Sequence, residues 1–162
     1  MSTDSLNGLD ALSRSPLLTV FYDGSCGLCS AEMSALHELD RDHAIALVDC
    51  ADPRFDDSAC RAEGITREAM MQALHVRDLL GDWHRGVDAI ALLYATAGAP
   101  RLARLWAHPL TRPFAQWLYP IVVRHRHALS DLGLNFVSPR VLRLFATRRP
   151  QCDHAACPAR VH

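Results

Sequence analysis

The chain has 162 residues, 49% of them hydrophobic, which predicts one hydrophobic core with an extension. The formal net charge is only −1, but this value conceals an uneven distribution of charge along the chain. The segment before Pro16 is polar and lacks the pattern of a signal peptide. The longest mostly apolar stretch, Ala89 to Ala99, is too short to cross a membrane. We therefore expect a cytoplasmic protein without an integral membrane span.

The hydrophobic pattern predicts a βαβ unit followed by an αββα unit. The predicted elements are a strand at 17–22, a helix at 26–39, a strand at 44–49, a helix near 66–73, a hairpin at 74–78 and 83–86, and a helix near 88–97. This order is that of a thioredoxin-like domain, which we place at 17–100. The expected fold class is therefore α/β.

Further helices are predicted beyond residue 100. They lie near 101–107 and 112–128, where Pro113 suits a first turn and Pro120 is expected to introduce a kink. Ser138-Pro139 predicts the start of a short last helix. We expect a C-terminal helical extension at 101–147 that packs on the first domain, a disordered segment at 1–16 and a flexible tail at 148–162.

Cys26-Gly27-Leu28-Cys29 is the most informative motif of the chain. It follows the first predicted strand and opens the first predicted helix, so both thiols lie at a strand-to-helix corner. Thiols at this spacing can close a small disulfide ring, and the helix dipole favours a thiolate. The pattern therefore indicates dithiol/disulfide exchange.

A helical wheel predicts different surroundings for the two cysteines. At about 100° per residue, Cys29 shares an apolar stripe with Met33 and Leu36, whereas Cys26 lies at the flank of that stripe. We expect an exposed Cys26 to attack a disulfide as thiolate and a shielded Cys29 to resolve the mixed disulfide.

The same Cys-x-x-Cys spacing also suits half of a zinc site. The alternative interpretation is a zinc-binding or interaction module in which Cys26 and Cys29 act with Cys152 and Cys157 of the tail. The βαβ context favours redox chemistry over a zinc knuckle.

The segment Tyr22-Asp23-Gly24-Ser25-Cys26-Gly27-Leu28-Cys29 resembles the signature of the DCC family, named for its Asp-x-x-Cys-x-x-Cys motif. The resemblance continues at 74–78, at 81–89 and at the Arg-rich stretch 118–127. It implies a thioredoxin-like fold and a thiol-disulfide oxidoreductase activity. The implied substrate is a disulfide-containing protein or a small thiol.

No dinucleotide fingerprint or phosphate-binding glycine loop is present in the sequence, and we expect neither a bound cofactor nor a metal. Electrons must then come from an external donor, either another protein or a thiol such as glutathione.

Asp23 is the third candidate site residue. Thioredoxins carry a buried carboxylate six residues before their first cysteine, but Val20 occupies that position here. Asp23 is the nearest acid, and one interpretation is that it accepts the proton of Cys29 before resolution. The other is that its carboxylate hydrogen-bonds the backbone of the turn at Gly24.

Charge is distributed unevenly along the chain. Residues 1–100 contain 7 arginines and 16 acidic residues, and residues 101–149 contain 9 arginines and Asp131 alone. Four aromatic residues lie among those arginines at helical spacing, which favours core positions for them: Trp106, Phe114, Trp117 and Tyr119. Such a charge split can indicate a nucleic-acid or anionic-membrane surface, so a third interpretation of the chain is a peripheral nucleic-acid or membrane binder that uses the basic helices. The helical spacing of the aromatics favours the other interpretation, in which the basic helices pack on the acidic domain. We therefore expect no binding to nucleic acid or to anionic vesicles.

Two other features have open roles. Cys50 follows the second strand and either shares a sheet edge with Cys26 or packs as a small buried hydrophobe. His125 and His127 alternate with Arg124 and Arg126 near a predicted helix C-terminus, which favours a solvated basic cap.

Overall fold

The structure, a computed structural model, describes residues 16–146. The predicted segments at 1–16 and 148–162, apart from Pro16, lie outside the described residues, and so do the tail cysteines Cys152 and Cys157. Within residues 16–146, no helix is long and apolar enough to cross a membrane.

Four strands and seven α-helices follow one another through the described part of the chain. They are β1 (Leu18–Tyr22), α1 (Gly27–Leu39), β2 (Ile45–Asp49), α2 (Ser58–Ala62), α3 (Arg67–Gln72), β3 (His75–Asp78), β4 (Trp83–Arg85), α4 (Val87–Thr96), α5 (Pro100–Ala107), α6 (Arg112–Asp131) and α7 (Val137–Phe145), with a short 3-10 helix at Leu134–Phe136 before α7. The short helix α2 has no counterpart among the predicted elements. The helix α6 continues through Pro120 to Asp131, three residues past its predicted end.

The strands form one mixed sheet in the order β2-β1-β3-β4. β1 pairs in parallel with β2 and antiparallel with β3, and β4 pairs antiparallel with β3. A parallel pair needs a crossover, which α1 supplies between β1 and β2. This arrangement confirms the predicted thioredoxin-like α/β fold, and it places the end of β1 at the centre of the sheet, where α1 begins.

The core joins the sheet to the C-terminal helices. Val20 and Val76 from the sheet belong to the same buried cluster as Leu36 of α1, Leu102 of α5 and Leu142 of α7. Because one cluster spans both parts of the chain, burial of apolar surface stabilises them together. The domain boundary at residue 100 stays a prediction.

Three arginines of the C-terminal helices pair with acids of the first domain. Arg112 contacts Asp88, Arg126 contacts Asp23 and Arg143 contacts Glu38. These ion pairs agree with the charge asymmetry of the sequence.

The expected core position is wrong for two of the four aromatic residues. Phe114 and Trp117 are 61% and 63% exposed on the outer face of α6. Trp106 is half-buried against the core, and Tyr119 is half-buried on the inner side of α6. Helical spacing shows that these residues can share a face, but it does not show which face meets the sheet.

We predict that Leu142→Ala lowers the free energy of unfolding by about 2 to 5 kcal/mol, because the substitution leaves a cavity in the shared core. Leu142 is fully buried, whereas Leu144 on the same helix is 81% exposed. Leu144→Ala is the matched control and should change stability by about 0.5 kcal/mol or less. Urea titration measures both variants, and equal small effects would show that α7 is not part of the core.

Candidate active site

The two motif cysteines lie at the start of α1. Cys26 is the N-cap residue, with extended backbone angles, and its Sγ accepts a hydrogen bond from the backbone N–H of Cys29 at 3.5 Å. The two cysteines approach to 3.2 Å and are both free thiols. A helix N-terminus and a directed N–H both stabilise negative charge on sulfur, and both act on the Cys26 sulfur.

Exposure of the cysteines is the reverse of what the helical wheel predicts. Cys26 is fully buried, and Cys29 is partly exposed. Part of the reason is tertiary, since the end of α6 and the 3-10 helix after it pack against the first turn of α1. A Cβ built on Gly27 would lie 2.5 Å from Ser130 Oγ and 3.3 Å from Asn135 Nδ2. A helical wheel of α1 contains no information on contacts that residues of other helices make with α1.

Asp23 is buried beside the cysteines and makes both local and long-range contacts. Its Oδ1 accepts hydrogen bonds from the backbone N–H and the hydroxyl of Ser25, at 3.0 and 2.5 Å. Its Oδ2 accepts a hydrogen bond from Arg126 at 2.6 Å and lies 3.6 Å from His127 Nε2. The turn-stabilising interpretation of Asp23 is therefore present in the structure, together with a buried ion pair.

These contacts determine the charge state of Asp23. Burial alone raises the pKa of its carboxyl, but the hydrogen bonds from Ser25 and Arg126 outweigh burial and hold the pKa below the ordinary value of 3.8. A carboxylate with a lowered pKa is a weak base. The role of Asp23 as proton acceptor for Cys29 stays a prediction, and this environment disfavours it.

Arg126 lies in the site, although its sequence context predicts a solvated basic cap. Its side chain is only 14% exposed, and it donates to Asp23 and also to the backbone carbonyl of Met71 at 2.6 Å. A signal was available in the sequence. Arg126 lies four residues after Val122 and seven after Tyr119, which places all three on one face of α6.

Tyr119 contacts the loop that follows α3, next to the α3 carbonyl that Arg126 contacts. Its hydroxyl accepts a hydrogen bond from the backbone N–H of Leu74 at 2.9 Å. Tyr119 and Arg126 together therefore satisfy two backbone groups of the segment 71–74. This segment immediately precedes β3, and its backbone contacts position α6 against the motif corner.

Gly24 is needed at this corner for space. Its N–H donates to Asp49 Oδ1 at 2.9 Å, and a Cβ at this position would overlap the Asp49 carboxylate. The same Asp49 oxygen accepts the N–H of Ala51 at 2.7 Å. Asp49 thus connects the end of β2 to the turn before the cysteines, a contact that the sequence did not indicate.

A cavity of about 280 Å³ lies between α1 and α6, and Cys29 is in its wall. Most of the lining is apolar, with side chains of Met33, Leu93 and Val122 among others. Asp23 and Arg126 are also among the lining residues, as is Glu32, which lies one turn after Cys29 on α1. The cavity gives the partly exposed sulfur of Cys29 an apolar neighbourhood.

Burial raises the pKa of both Cys29 and Glu32. It raises the pKa of the Cys29 thiol well above its ordinary value, and the adjacent Cys26 raises it further. Burial likewise raises the pKa of Glu32, which is opposed by the hydrogen bond from the Tyr94 hydroxyl at 2.5 Å. The two carboxyls of the cavity wall, Asp23 and Glu32, therefore have pKa values shifted in opposite directions.

Cys50 packs as a small buried hydrophobe, the second of its two predicted interpretations. It is fully buried, and its Sγ lies 3.7 Å from Met70 Sδ in a cluster with Phe21. Burial raises the pKa of its thiol to about 12, which makes it inert at neutral pH.

Within residues 16–146, no group of three or more His, Cys, Asp or Glu side chains is arranged to hold a metal ion. The tail cysteines of the zinc alternative lie outside this range.

A family model of DCC1-like thiol-disulfide oxidoreductases matches residues 20–132. The match covers more than half of the chain. It begins within β1 and includes the cysteine motif and the whole of α6. The chain therefore belongs to the DCC1-like thiol-disulfide oxidoreductase family. Comparisons with curated proteins and with solved structures gave no match.

We predict that Asp23→Asn lowers the free energy of unfolding by about 1 to 3 kcal/mol at pH 7, because Arg126 loses a buried charged partner. The lowered pKa of Asp23 stabilises the fold above the ordinary value of 3.8, and this contribution disappears as pH falls through the folded-state pKa. The difference between wild type and variant should therefore shrink below about pH 4.

The matched control is Asp88→Asn, which breaks the solvent-exposed pair with Arg112. Exposed pairs contribute about 0 to 1 kcal/mol, so this variant should differ little from wild type. Denaturant unfolding followed between pH 3 and pH 7 measures both. A pH-independent loss in Asp23→Asn would contradict the ion-pair explanation.

Proposed function

We propose that the protein exchanges disulfides through Cys26 and Cys29. The observation that supports this most directly is the pair of free thiols 3.2 Å apart at the N-terminus of α1, with the Cys29 N–H directed at Cys26 Sγ. The family to which the chain belongs has thiol-disulfide oxidoreductase activity in its description.

The reaction transfers two electrons from the dithiol to a disulfide substrate. A thiolate of the pair forms a bond to one substrate sulfur, the substrate S–S bond breaks, and the released thiolate takes up a proton. The second cysteine then loses its proton, attacks the first and releases the other half of the substrate. The resulting Cys26–Cys29 disulfide needs reduction by an external thiol or a reduced protein before another turnover.

Cys26 is proposed as the attacking thiolate and Cys29 as the resolving thiol. The helix N-terminus and the N–H of Cys29 are placed to stabilise negative charge on the Cys26 sulfur during attack, and burial raises the pKa of the Cys29 thiol. Burial of Cys26 opposes this assignment, because its sulfur reaches a substrate only when the groups around it move.

The cavity beside Cys29 is proposed to accept the apolar group that neighbours the substrate sulfur. Its volume of about 280 Å³ suits a single side chain or a small molecule, and its mostly apolar lining favours an uncharged group there. Small charged disulfides are then poorer substrates than apolar ones of the same size.

Glu32 is proposed as the acceptor of the Cys29 proton. It lies one turn after Cys29 on the same face of α1 and in the wall of the same cavity. Its raised pKa brings it closer to that of a thiol than the lowered pKa of Asp23 does. A base is more effective when its pKa approaches that of the group it deprotonates.

We predict that Cys29→Ser accumulates a mixed disulfide with a disulfide probe, because attack by Cys26 survives and resolution does not. Cys26→Ser should accumulate almost none. The probe is dipropyl disulfide, and intact-mass measurement under non-reducing conditions detects the adduct. Cys60→Ser is the control, since Cys60 lies on α2 away from the cavity lining and should leave exchange unchanged.

Trapping by Cys26→Ser alone would show that the more exposed thiol attacks, contrary to the proposed roles. The zinc alternative gives a different result, because both substitutions would lower metal content and neither would trap a probe. Native mass spectrometry of the wild type separates the two functions. A change of two hydrogens on mild oxidation indicates redox exchange, and a bound zinc mass indicates the alternative.

We predict that Glu32→Gln slows resolution of the mixed disulfide by about 100-fold or more, the usual contribution of a proton acceptor. The amide oxygen of glutamine still accepts the Tyr94 hydroxyl, so the fold should persist. Asp23→Asn is the comparison variant and should slow resolution less. Rapid-quench kinetics measures both rates, and the opposite order would assign the proton acceptor to Asp23.

A further inference from the structure

The outer face of α6 carries a stripe of exposed apolar side chains. Phe114, Trp117 and Ile121 follow one another at spacings of three and four residues, so they lie on one face of the helix. They are 61%, 63% and 41% exposed, and the rings of Phe114 and Trp117 are 5.9 Å apart. Leu110, just before the helix, is 82% exposed.

The opposite face of α6 already packs on the protein. Ala115 is buried, and Tyr119, Val122 and Arg126 face the cavity and the loop before β3. The helix therefore satisfies its core contacts without the apolar stripe. A helix with apolar side chains on both faces buries the second face against another partner.

The chain segment that contains the stripe is cationic. Residues 89–130 contain five arginines and no aspartate or glutamate. Arg101, Arg104 and Arg124 are exposed, and no carboxylate within residues 16–146 pairs with them. Other arginines, such as Arg112, pair with acids of the first domain. The charge of the three arginines without a carboxylate partner is therefore not compensated within residues 16–146.

We propose that the outer face of α6 binds an anionic membrane surface peripherally. Phe114, Trp117 and Ile121 enter the headgroup region, and the exposed arginines contact lipid phosphates and anionic headgroups. A convex helix face with protruding aromatic rings suits a broad, soft surface better than a peptide, which needs a groove. Stacking bases would use aromatics within a positive groove, which this face lacks.

This inference replaces the sequence-based expectation that anionic vesicles are not bound. That expectation depended on all four aromatic residues being in the core, and the exposure of Phe114 and Trp117 removes its premise. The expectation that nucleic acid is not bound is retained. The inference is independent of the redox proposal, because Phe114, Trp117 and Ile121 are not among the residues that line the cavity.

The test is co-sedimentation of the full chain with vesicles of pure phosphatidylcholine and with vesicles of equal parts phosphatidylcholine and phosphatidylserine. We expect binding to the second kind only, weakened by salt of about 1 M, at which surface charges are screened. The double variant Phe114→Ser with Trp117→Ser should bind about tenfold more weakly. Arg124→Glu should also weaken binding to the anionic vesicles, because it replaces a cation of the same helix face with an anion.

The matched control is Leu79→Ser with Leu80→Ser at the β3–β4 hairpin tip. These leucines are 60% and 88% exposed, but they lie between Asp78 and Asp82 rather than among arginines. Thermal unfolding shows whether each variant is folded. Absence of wild-type binding to anionic vesicles, or equal loss in the control, would overturn the proposal. So would equal binding to duplex DNA, or a wild-type dimer that the α6 double variant converts to monomer.

Discussion

The ion pair between Asp23 and Arg126 holds the site together. Both side chains are largely buried, and a buried charge is tolerated only with a partner of opposite charge and further hydrogen bonds. Asp23 obtains them from Ser25, and Arg126 from the carbonyl of Met71. One interaction thereby joins the cysteine turn, the loop before β3 and α6. The cavity beside Cys29 exists because α6 is held in that position.

The two thiols differ through their surroundings. Cys26 lies at the helix N-terminus and its sulfur accepts a backbone N–H, but the residue is fully buried. Cys29 is partly exposed in the wall of an apolar cavity, and burial raises the pKa of its thiol. The helix N-terminus and the directed N–H thus act on the Cys26 sulfur, whereas Cys29 is the more exposed of the two residues. The proposed exchange through Cys26 therefore requires a movement that exposes its sulfur.

The helix α6 has different roles on its two faces. Its inner face supplies Tyr119 and Arg126 to the loop before β3, and its outer face presents Phe114 and Trp117 among arginines. The arginines of the C-terminal helices likewise fall into two groups. Some arginines neutralise acids of the first domain, and others remain as a positive surface. A helix with two apolar faces explains why periodicity alone assigned all of its aromatics to the core.

The sequence by itself determined the order of elements, the thioredoxin-like class and the family, because β-strand and helix periodicities and the Cys-x-x-Cys spacing are local properties of the chain. It also indicated a turn at Asp23 and Gly24. Only the tertiary structure decided that Cys26 is covered, that Arg126 is buried beside Asp23, and that Phe114 is exposed. Each of these depends on contacts between residues about 100 positions apart or on which helix face meets the sheet. A local sequence pattern contains neither kind of information, because it specifies the residue types on a helix face and not the residues that pack against that face.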